Sequence, residues 1–169
     1  MCYDKMYFIP ERKISMTLRF AETRDIPGMI RLLQQVGAVH HDIRPDLFRG
    51  DAQKYDEKAL AELLRDRSRP ILIAEEGGDV AGYCFCILQI TKDNPVLCDR
   101  KVLYIDDLCV EETLRGQGIA AALYHRALDY ARELGCDAVT LNVWSGNPAM
   151  GFYERMGMKP QKVGMEVIL

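Results

Sequence analysis

The sequence predicts a single domain of the α/β (α+β) class, and three observations lead to that prediction. The chain has 169 residues, enough for one domain with a sizeable core. Apolar runs on either side of Gly77-Gly78 predict a β-hairpin, because a Gly-Gly pair favours the tight turns that join antiparallel strands. Over 103–144, the order strand, glycine-rich turn, helix, strand predicts a parallel crossover.

The remaining elements follow from the spacing of apolar residues. Residues 1–15 do not match the pattern that follows, and we interpret them as a leader or extension ahead of a domain over 16–169. They contain no apolar run, so a signal peptide is not expected. The other predicted elements are a strand over 17–20, a helix over 25–36 ended by Gly37, a second helix capped by Asp56, strands over 71–74 and 80–90, and a final strand over 163–169.

Composition and charge argue against several classes of protein. A formal net charge of -3 gives no support to nucleic-acid binding, which is usually accompanied by a basic excess. No stretch of 18 apolar residues occurs, so no membrane span is expected. The six cysteines form no CxxC pair, and we interpret them as free thiols of a protein in the reducing cytoplasm.

The polar segment 38–55 is predicted to be a loop. Its His40-His41-Asp42 run invites a metal interpretation, but adjacent histidines project in different directions and no third ligand is suitably spaced. No metal is therefore predicted. Two interpretations of the segment stay open, a plain loop and a loop that lines a substrate site.

The glycine turn, residues 115–120, is the first candidate binding element. It leads into an amphipathic helix over 119–134, which Gly135 ends. Its two glycines permit unusual backbone angles and let a ligand approach the amides closely. The helix start offers unpaired N–H groups and a partial positive charge, and Arg115 adds a cation. These features predict a diphosphate site, although an ordinary tight turn is compatible with the same residues.

Two common phosphate motifs fit this turn less well. Gly116-x-Gly118-x-x-Ala121 matches the letters of the dinucleotide fingerprint, but that motif requires an acidic residue about 20 positions further on. The second strand instead ends at 142–144 without an acid. A P-loop is excluded because no Lys-Ser/Thr pair follows the glycines.

Asp106 and Asp107 interrupt the otherwise apolar strand over 103–110. Successive side chains of a strand point to opposite faces, so two adjacent carboxylates in a central strand require an explanation. Either the strand bulges at this point, or one of the acids lies in a cleft.

Asn147-Pro148 predicts the start of a short helix, because Asn is a good N-cap and Pro fits the first helical position. Gly157 is the expected stop. Phe152 and Tyr153 then project from adjacent faces of this helix.

Together, two motifs resemble those of the GNAT N-acetyltransferase superfamily over about 17–169. The first is Arg-x-x-Gly-x-Ala, which begins at Arg115 after a strand, and the second is Asn-Pro-Ala-Met-Gly-Phe-Tyr-Glu-Arg-Met-Gly over 147–157. The stretch Tyr-Ile-Asp-Asp-Leu over 104–108 looks most like the small-molecule amine acetyltransferases of the family. The resemblance implies a mixed, largely antiparallel sheet of six to seven strands flanked by helices, with central parallel strands splayed at the coenzyme A site.

The resemblance also implies acetyl-CoA as cosubstrate. The first strand of the crossover would hold the pantetheine arm, the glycine turn would bind the pyrophosphate, and the second strand would flank the thioester. Asn147 lies one residue nearer to Tyr153 than in most members, and Gly146 occupies its aligned position. The cofactor-binding residues so implied are Leu108, Cys109, Val110, Arg115, Gly116, Gln117, Gly118, Ile119, Ala120, Ala121, Asn142 and Asn147.

Acetyl transfer to an amine requires particular side chains. A protonated amine must lose a proton before it attacks a thioester, and a carboxylate of raised pKa can accept that proton. Asp106 is the better candidate because the usual acid of the family aligns there, and Asp107 is the second. Tyr153 is the candidate acid that protonates the departing thiolate. The expected enzyme is an N-acetyltransferase that acts by direct attack in a ternary complex.

The acceptor is expected to be a primary amine of a small molecule or a peptide, and a homodimer is a family-level expectation. One alternative hypothesis is a non-catalytic acyl-CoA-binding sensor or interaction module on the same fold. A weaker enzymatic variant uses Cys109 as an acyl-enzyme nucleophile.

Overall fold

The computed structural model describes residues 5–6, 16–50 and 53–169, with the first of these ranges as backbone only. Almost all of the segment 1–15, which we interpret as a leader or extension, lies outside the described residues. The elements are β1 (Lys5–Met6), β2 (Met16–Phe20), α1 (Ile26–Ile43), α2 (Glu57–Leu63), β3 (Ile71–Glu76), β4 (Asp79–Thr91), β5 (Arg100–Val110), α3 (Ile119–Glu133), β6 (Ala138–Leu141) and α4 (Ala149–Arg155).

One mixed sheet runs in the order β1-β2-β3-β4-β5-β6. Its pairs from β1 to β5 are antiparallel, and β5 pairs with β6 in parallel. The prediction of a mixed, largely antiparallel sheet flanked by helices is confirmed. The parallel pair, however, lies at one end of the described sheet rather than at its centre, because β6 pairs only with β5 among the described strands.

The predicted count of six to seven strands is not matched. Within the described residues, five strands of four or more residues form the sheet, and β1 adds only a two-residue pairing to β2. The expected last strand over 163–169 is not a strand, although its apolar residues alternate as predicted. Its apolar side chains are exposed. The alternation therefore creates no buried face, and it is the burial of one face that would favour strand pairing.

The sheet separates two apolar clusters. The first packs around α3 and includes Leu103, Ile105 and Leu123. The second packs around α1 and α2 and includes Tyr83 and Cys109. β5 contributes side chains to both clusters, so each of its faces is covered by helices over part of its length.

Several local predictions are confirmed. Gly77 and Gly78 both have positive φ, 60° and 91°, in the turn that joins β3 to β4. Asp56 caps α2, since its Oδ1 accepts a hydrogen bond from the N–H of Ala59 at 2.7 Å. Gly135 has φ 67° directly after the last turn of α3.

The predicted end of the first helix at Gly37 is wrong. α1 continues through Gly37 to Ile43, so the first part of the predicted 38–55 loop is helical. A glycine inside a helix costs about 1 kcal/mol relative to alanine. Contacts beyond Gly37 accompany the extra turns, since the His40 ring packs against that of Phe48 and His41 Nδ1 lies 2.7 Å from the carbonyl oxygen of Phe48. None of the described helices is both long and apolar enough to cross a membrane.

Candidate active site

A cleft of about 1520 Å³ opens beside the second half of β5. Its walls come from the end of α1, the glycine turn, the end of β6, α4 and the segment 158–166. This volume exceeds the 300–1,000 Å³ or so that most small-ligand pockets occupy, and it suits a long ligand together with a second molecule.

The cleft exists because β5 and β6 stop pairing partway along β5. The last paired residues are Ile105 and Leu141, after which β6 ends and β5 continues to Val110. The edge of β5 beyond Ile105 therefore faces the cleft rather than a neighbouring strand. An extended ligand can hydrogen-bond to such an edge as an added strand does. β6 is paired with β5 over its whole length, so the opening comes from the end of β6 and not from the predicted splay of two continuing strands.

Asp106 is the extra residue of a β-bulge. On β4, Phe85 lies opposite Asp107 and Cys86 lies opposite Ile105, so Asp106 has no partner in the register. Before the bulge Ile105 belongs to the cluster on the α3 side, and after it Cys109 belongs to the cluster on the α1 side. The bulge predicted as one of two explanations for adjacent acids is therefore present, and both acids line the cleft as well.

The two carboxylates of this acidic bulge (Asp106 and Asp107) have different partners. Asp106 Oδ2 lies 2.9 Å from Lys54 Nζ in a partly exposed ion pair. Asp107 Oδ2 accepts a hydrogen bond of 3.1 Å from the hydroxyl of Tyr83, whose side chain is fully buried. One acid is thus paired with a cation, whereas the other is held by a neutral phenol.

Burial raises the pKa of Asp107 to about 6. The charge of Lys54 and the hydrogen bond from Tyr83 lower this pKa, and the neighbouring carboxylate of Asp106 raises it. A carboxyl group with a pKa near 6 is ionised at neutral pH yet basic enough to accept a proton, as a general base must be. Asp107 therefore has the electrostatic setting of a general base.

Tyr153 lines the cleft from α4. Burial, followed by the nearby Cys84 and Asp107, raises its pKa well above the ordinary value of a tyrosine. Its ring contacts that of Phe152 edge-on at a centroid distance of 5.1 Å. The phenol is therefore protonated at neutral pH, and it lies within electrostatic reach of Asp107.

The glycine turn has the predicted backbone conformation. Gly116 and Gly118 have positive φ, 77° and 81°, and Gly118 is the N-cap residue of α3. A side-chain carbon added at Gly116 would meet no other atom, so the backbone there is open to a ligand. Arg115 and Ala120 line the cleft, while Ile119 is buried in the core and can offer only its backbone.

The two candidate asparagines also line the cleft. Asn142 Nδ2 donates a hydrogen bond of 3.2 Å to the hydroxyl of Tyr104. The side-chain oxygen of Asn147 accepts one of 2.9 Å from the N–H of Ala149, the first residue of α4. The N-cap of that helix is Pro148 and not Asn147 as predicted, so the helix begins one residue later than expected. That oxygen of Asn147 is therefore used by the helix, and its amide nitrogen is the group left for a ligand.

Sequence reasoning missed two side chains that organise the site. Lys54 pairs with Asp106, and Gln35 donates hydrogen bonds to Val110 O at 2.9 Å and to Cys109 Sγ at 3.2 Å. Gln35 also accepts one from the N–H of Glu112, which fixes the end of β5 to the segment leading into the glycine turn. No sequence pattern marks either residue, because each lies more than 50 positions from its hydrogen-bond partners.

His40 and His41 lie in the last turn of α1, contrary to the loop prediction. His40 lines the cleft and its ring packs against Phe48 at a centroid distance of 5.0 Å. His41 Nδ1 lies 2.7 Å from the carbonyl oxygen of Phe48. Both rings therefore shape the turn after α1, and within the described ranges no group of three His, Cys, Asp or Glu side chains could hold a metal ion.

Comparison with known proteins defines the class. Residues 37–158 match the Acetyltransferase (GNAT) family, and this chain therefore belongs to that family. In solved structures it is similar to a tetramutant of the BH1408 protein from Bacillus halodurans. The TM-score is 0.85 at 31% identity, and the match covers 90% of this chain and 99% of the other.

Curated relatives match over shorter stretches. An uncharacterized N-acetyltransferase of Methanocaldococcus jannaschii is 30% identical over 127 residues, 69% of this chain and 53% of its own length. N-acetyltransferase 8 of Rattus norvegicus is 36% identical over 102 residues, 60% of this chain and 43% of its own length. The chain thus spans about half the length of these two relatives.

Proposed function

We propose that this protein is an acetyl-CoA-dependent N-acetyltransferase whose domain spans 16–169 and whose acceptor is a primary amine of a small molecule or a peptide. One observation carries the proposal: Arg115 and Ala120 of the glycine turn line the same cleft as the half-buried, basic carboxyl of Asp107. Membership of the GNAT family supports acetyl transfer as the general type of reaction. The residues below are our assignments.

The cofactor fits the cleft through backbone groups. The first N–H groups of an α-helix have no partner within the helix, and those at the start of α3 follow two glycines in left-handed conformation. They would hold the pyrophosphate, with Arg115 as the nearby cation. The free edge of β5 at 108–110 would hold the pantetheine arm. The other assigned contacts are Gln117, Ala120, Ala121, Asn142 and the amide nitrogen of Asn147.

Asp107 is the general base in this proposal. An acceptor amine is protonated at neutral pH, and the carboxylate takes its proton, directly or through one water, before the nitrogen attacks the thioester carbon. The N–C bond forms as the C–S bond breaks, the electron pair of that bond leaves on sulfur, and the nitrogen loses its second proton to solvent as the amide forms. The sequence alone favours Asp106 as the base. Because Asp106 forms an ion pair with Lys54, we assign the role of base to Asp107 instead.

Tyr153 is the general acid. Its phenol is protonated at neutral pH and lines the cleft, so a proton is available for the leaving sulfur. Tyr153 and Asp107 line the same cleft, so both proton transfers can take place within one site.

The direct test mixes the protein with acetyl-CoA and a panel of primary amines, and follows release of the coenzyme A thiol. We expect amine-dependent release together with an acetylated amine detected by mass spectrometry. Binding of acetyl-CoA without release for any amine would contradict the enzymatic proposal and would leave an acyl-CoA-binding module.

A further inference from the structure

Lys54 brings a cation to the acidic bulge from a distant part of the chain. It lies two residues before the N-cap of α2, and its Nζ is 2.9 Å from Asp106 Oδ2. The same Nζ lies 5.5 Å from the centroid of the Tyr55 ring. The ammonium thus lies between an aromatic face and a carboxylate, and both attract it.

We propose that Lys54 is a positioning residue that gives the two carboxylates of the acidic bulge different roles. Its ammonium holds Asp106 in an ion pair, leaves Asp107 as the carboxylate that accepts the acceptor's proton, and competes with the acceptor ammonium for the two carboxylates. This inference rests on the proposed function.

The partners of the two acids support this division. Asp106 is 20% exposed and its partner Lys54 is 42% exposed, so their ion pair can open to admit another cation. Although burial opposes it, the hydrogen bond to Asp106 and the charge of Asp107 raise the pKa of Lys54. Lys54 is therefore charged throughout the neutral range.

Several further titratable groups surround Asp107, and most are uncharged near neutral pH. Burial raises the pKa of the thiol of Cys109 to about 12, and it raises those of the Tyr83 and Tyr153 phenols further. The hydrogen bond with Cys86 raises the pKa of Cys84, and burial lowers that of His40. The charges that act on Asp107 near neutral pH thus come chiefly from Lys54 and Asp106, with Arg115 close to Cys109.

Lys54 and Asp106 act on Asp107 with opposite signs. A positive charge favours the ionised carboxylate, so Lys54 lowers the pKa of Asp107, whereas the carboxylate of Asp106 raises it. Removal of the lysine charge should therefore raise the pKa of Asp107 above about 6. The ammonium group of an incoming acceptor would be attracted to the same two carboxylates. It would therefore compete with Lys54 for them.

The test is a carbon-13 titration of the Asp107 carboxyl by NMR, with the resonance assigned from its loss in Asp107→Asn. We expect a midpoint near pH 6 in the unchanged protein and in Lys54→Arg, and a higher midpoint in Lys54→Met and Lys54→Gln. Lys58→Met, which removes another exposed lysine from the same region, is the matched control and should leave the midpoint unchanged.

Kinetics supply the second readout. At a pH well above the midpoint, Lys54→Met should lower the KM for the acceptor amine about two- to fivefold, the range expected for a partly exposed ion pair, and leave the KM for acetyl-CoA unchanged. An identical Asp107 midpoint in Lys54→Met and the unchanged protein would overturn the inference. A shifted midpoint without thiol release for any amine would support the role of Lys54 and contradict the proposed function instead.

Discussion

The glycine turn and the acidic bulge lie in one cleft, but they are built in different ways. The glycine turn is made of consecutive residues, and its features are backbone features: two left-handed glycines and the start of a helix. The acidic bulge depends on side chains from three segments, since Lys54 precedes α2, Tyr83 lies on β4 and Asp107 lies on β5. A site that consists of consecutive backbone groups can be predicted from the sequence. A site that consists of side chains from distant segments cannot.

The same difference predicts what substitutions will do. Changes at the glycine turn should weaken cofactor binding and leave the chemical step intact. Changes at the acidic bulge should slow the chemical step and leave cofactor binding intact. The following substitutions test that division, from the largest expected effect to the smallest.

Asp107→Asn should have the largest effect. It removes the proposed base without a change of shape, and we expect kcat/KM for the acceptor to fall about 10²- to 10⁴-fold, the usual contribution of general acid–base catalysis. Steady-state thiol release measures the loss, and calorimetry should give an unchanged affinity for coenzyme A. Asp106→Asn is the matched variant next to it. A greater loss in Asp106→Asn than in Asp107→Asn would assign the base to the other acid.

Tyr153→Phe should lower kcat about 10- to 100-fold, because the leaving thiolate loses its proton donor while the ring that packs beside Phe152 is kept. Single-turnover measurement of thiol release checks this. Tyr130→Phe, at a tyrosine that packs edge-on against Phe20 instead of lining the cleft, is the control and should retain its activity. Full activity in Tyr153→Phe would remove the phenol from the mechanism.

Gly116→Ala should weaken coenzyme A binding about tenfold, which corresponds to about 1.4 kcal/mol. Alanine costs about 1–2 kcal/mol in left-handed backbone, and the turn can escape that strain by moving its amides. Gly135→Ala at the other end of α3 is closely matched: both glycines have positive φ, and an added side chain meets no atom at either. Both variants should lose similar stability in thermal unfolding, while only Gly116→Ala should lose affinity. Equal affinities in the two variants would place the pyrophosphate elsewhere.

Tyr83→Phe should shift the acid limb of the pH profile. The Tyr83 hydrogen bond lowers the pKa of Asp107, so its removal raises that pKa above about 6. The base works only when ionised, so kcat/KM should fall below about pH 6 in the unchanged protein and at a higher pH in the variant. The two proteins should have similar rates at a pH well above both limbs. A limb at the same pH in both would contradict the assignment of Asp107.

Much of the fold was predictable because its signals are local. The Gly77-Gly78 hairpin, the Asp56 cap and the Gly135 stop all depend on residues within one turn of each other, and all are confirmed. The adjacency of Asp106 and Asp107 predicted a bulge or a cleft, and the structure has both. The acids' partners were unpredictable, because no periodicity connects residue 54 with residue 106.

The wrong predictions of a helix stop at Gly37 and of a last strand have different causes. Gly37 is a good helix stop in sequence, but the last turn of α1 beyond it contacts Phe48 through the rings of His40 and His41. The segment 163–169 alternates like a strand, but its apolar side chains are exposed, so the alternation creates no buried face that would favour strand pairing.

A side-by-side comparison of Asp107→Asn and Gly116→Ala in one assay tests the central claim most directly. Thiol release is measured at saturating acceptor over a range of acetyl-CoA concentrations, with coenzyme A affinity measured by calorimetry. The account predicts that Asp107→Asn lowers kcat at unchanged affinity, and that Gly116→Ala lowers affinity while kcat at saturation is retained. If both variants alter the same parameter, the glycine turn and the acidic bulge do not have separate roles.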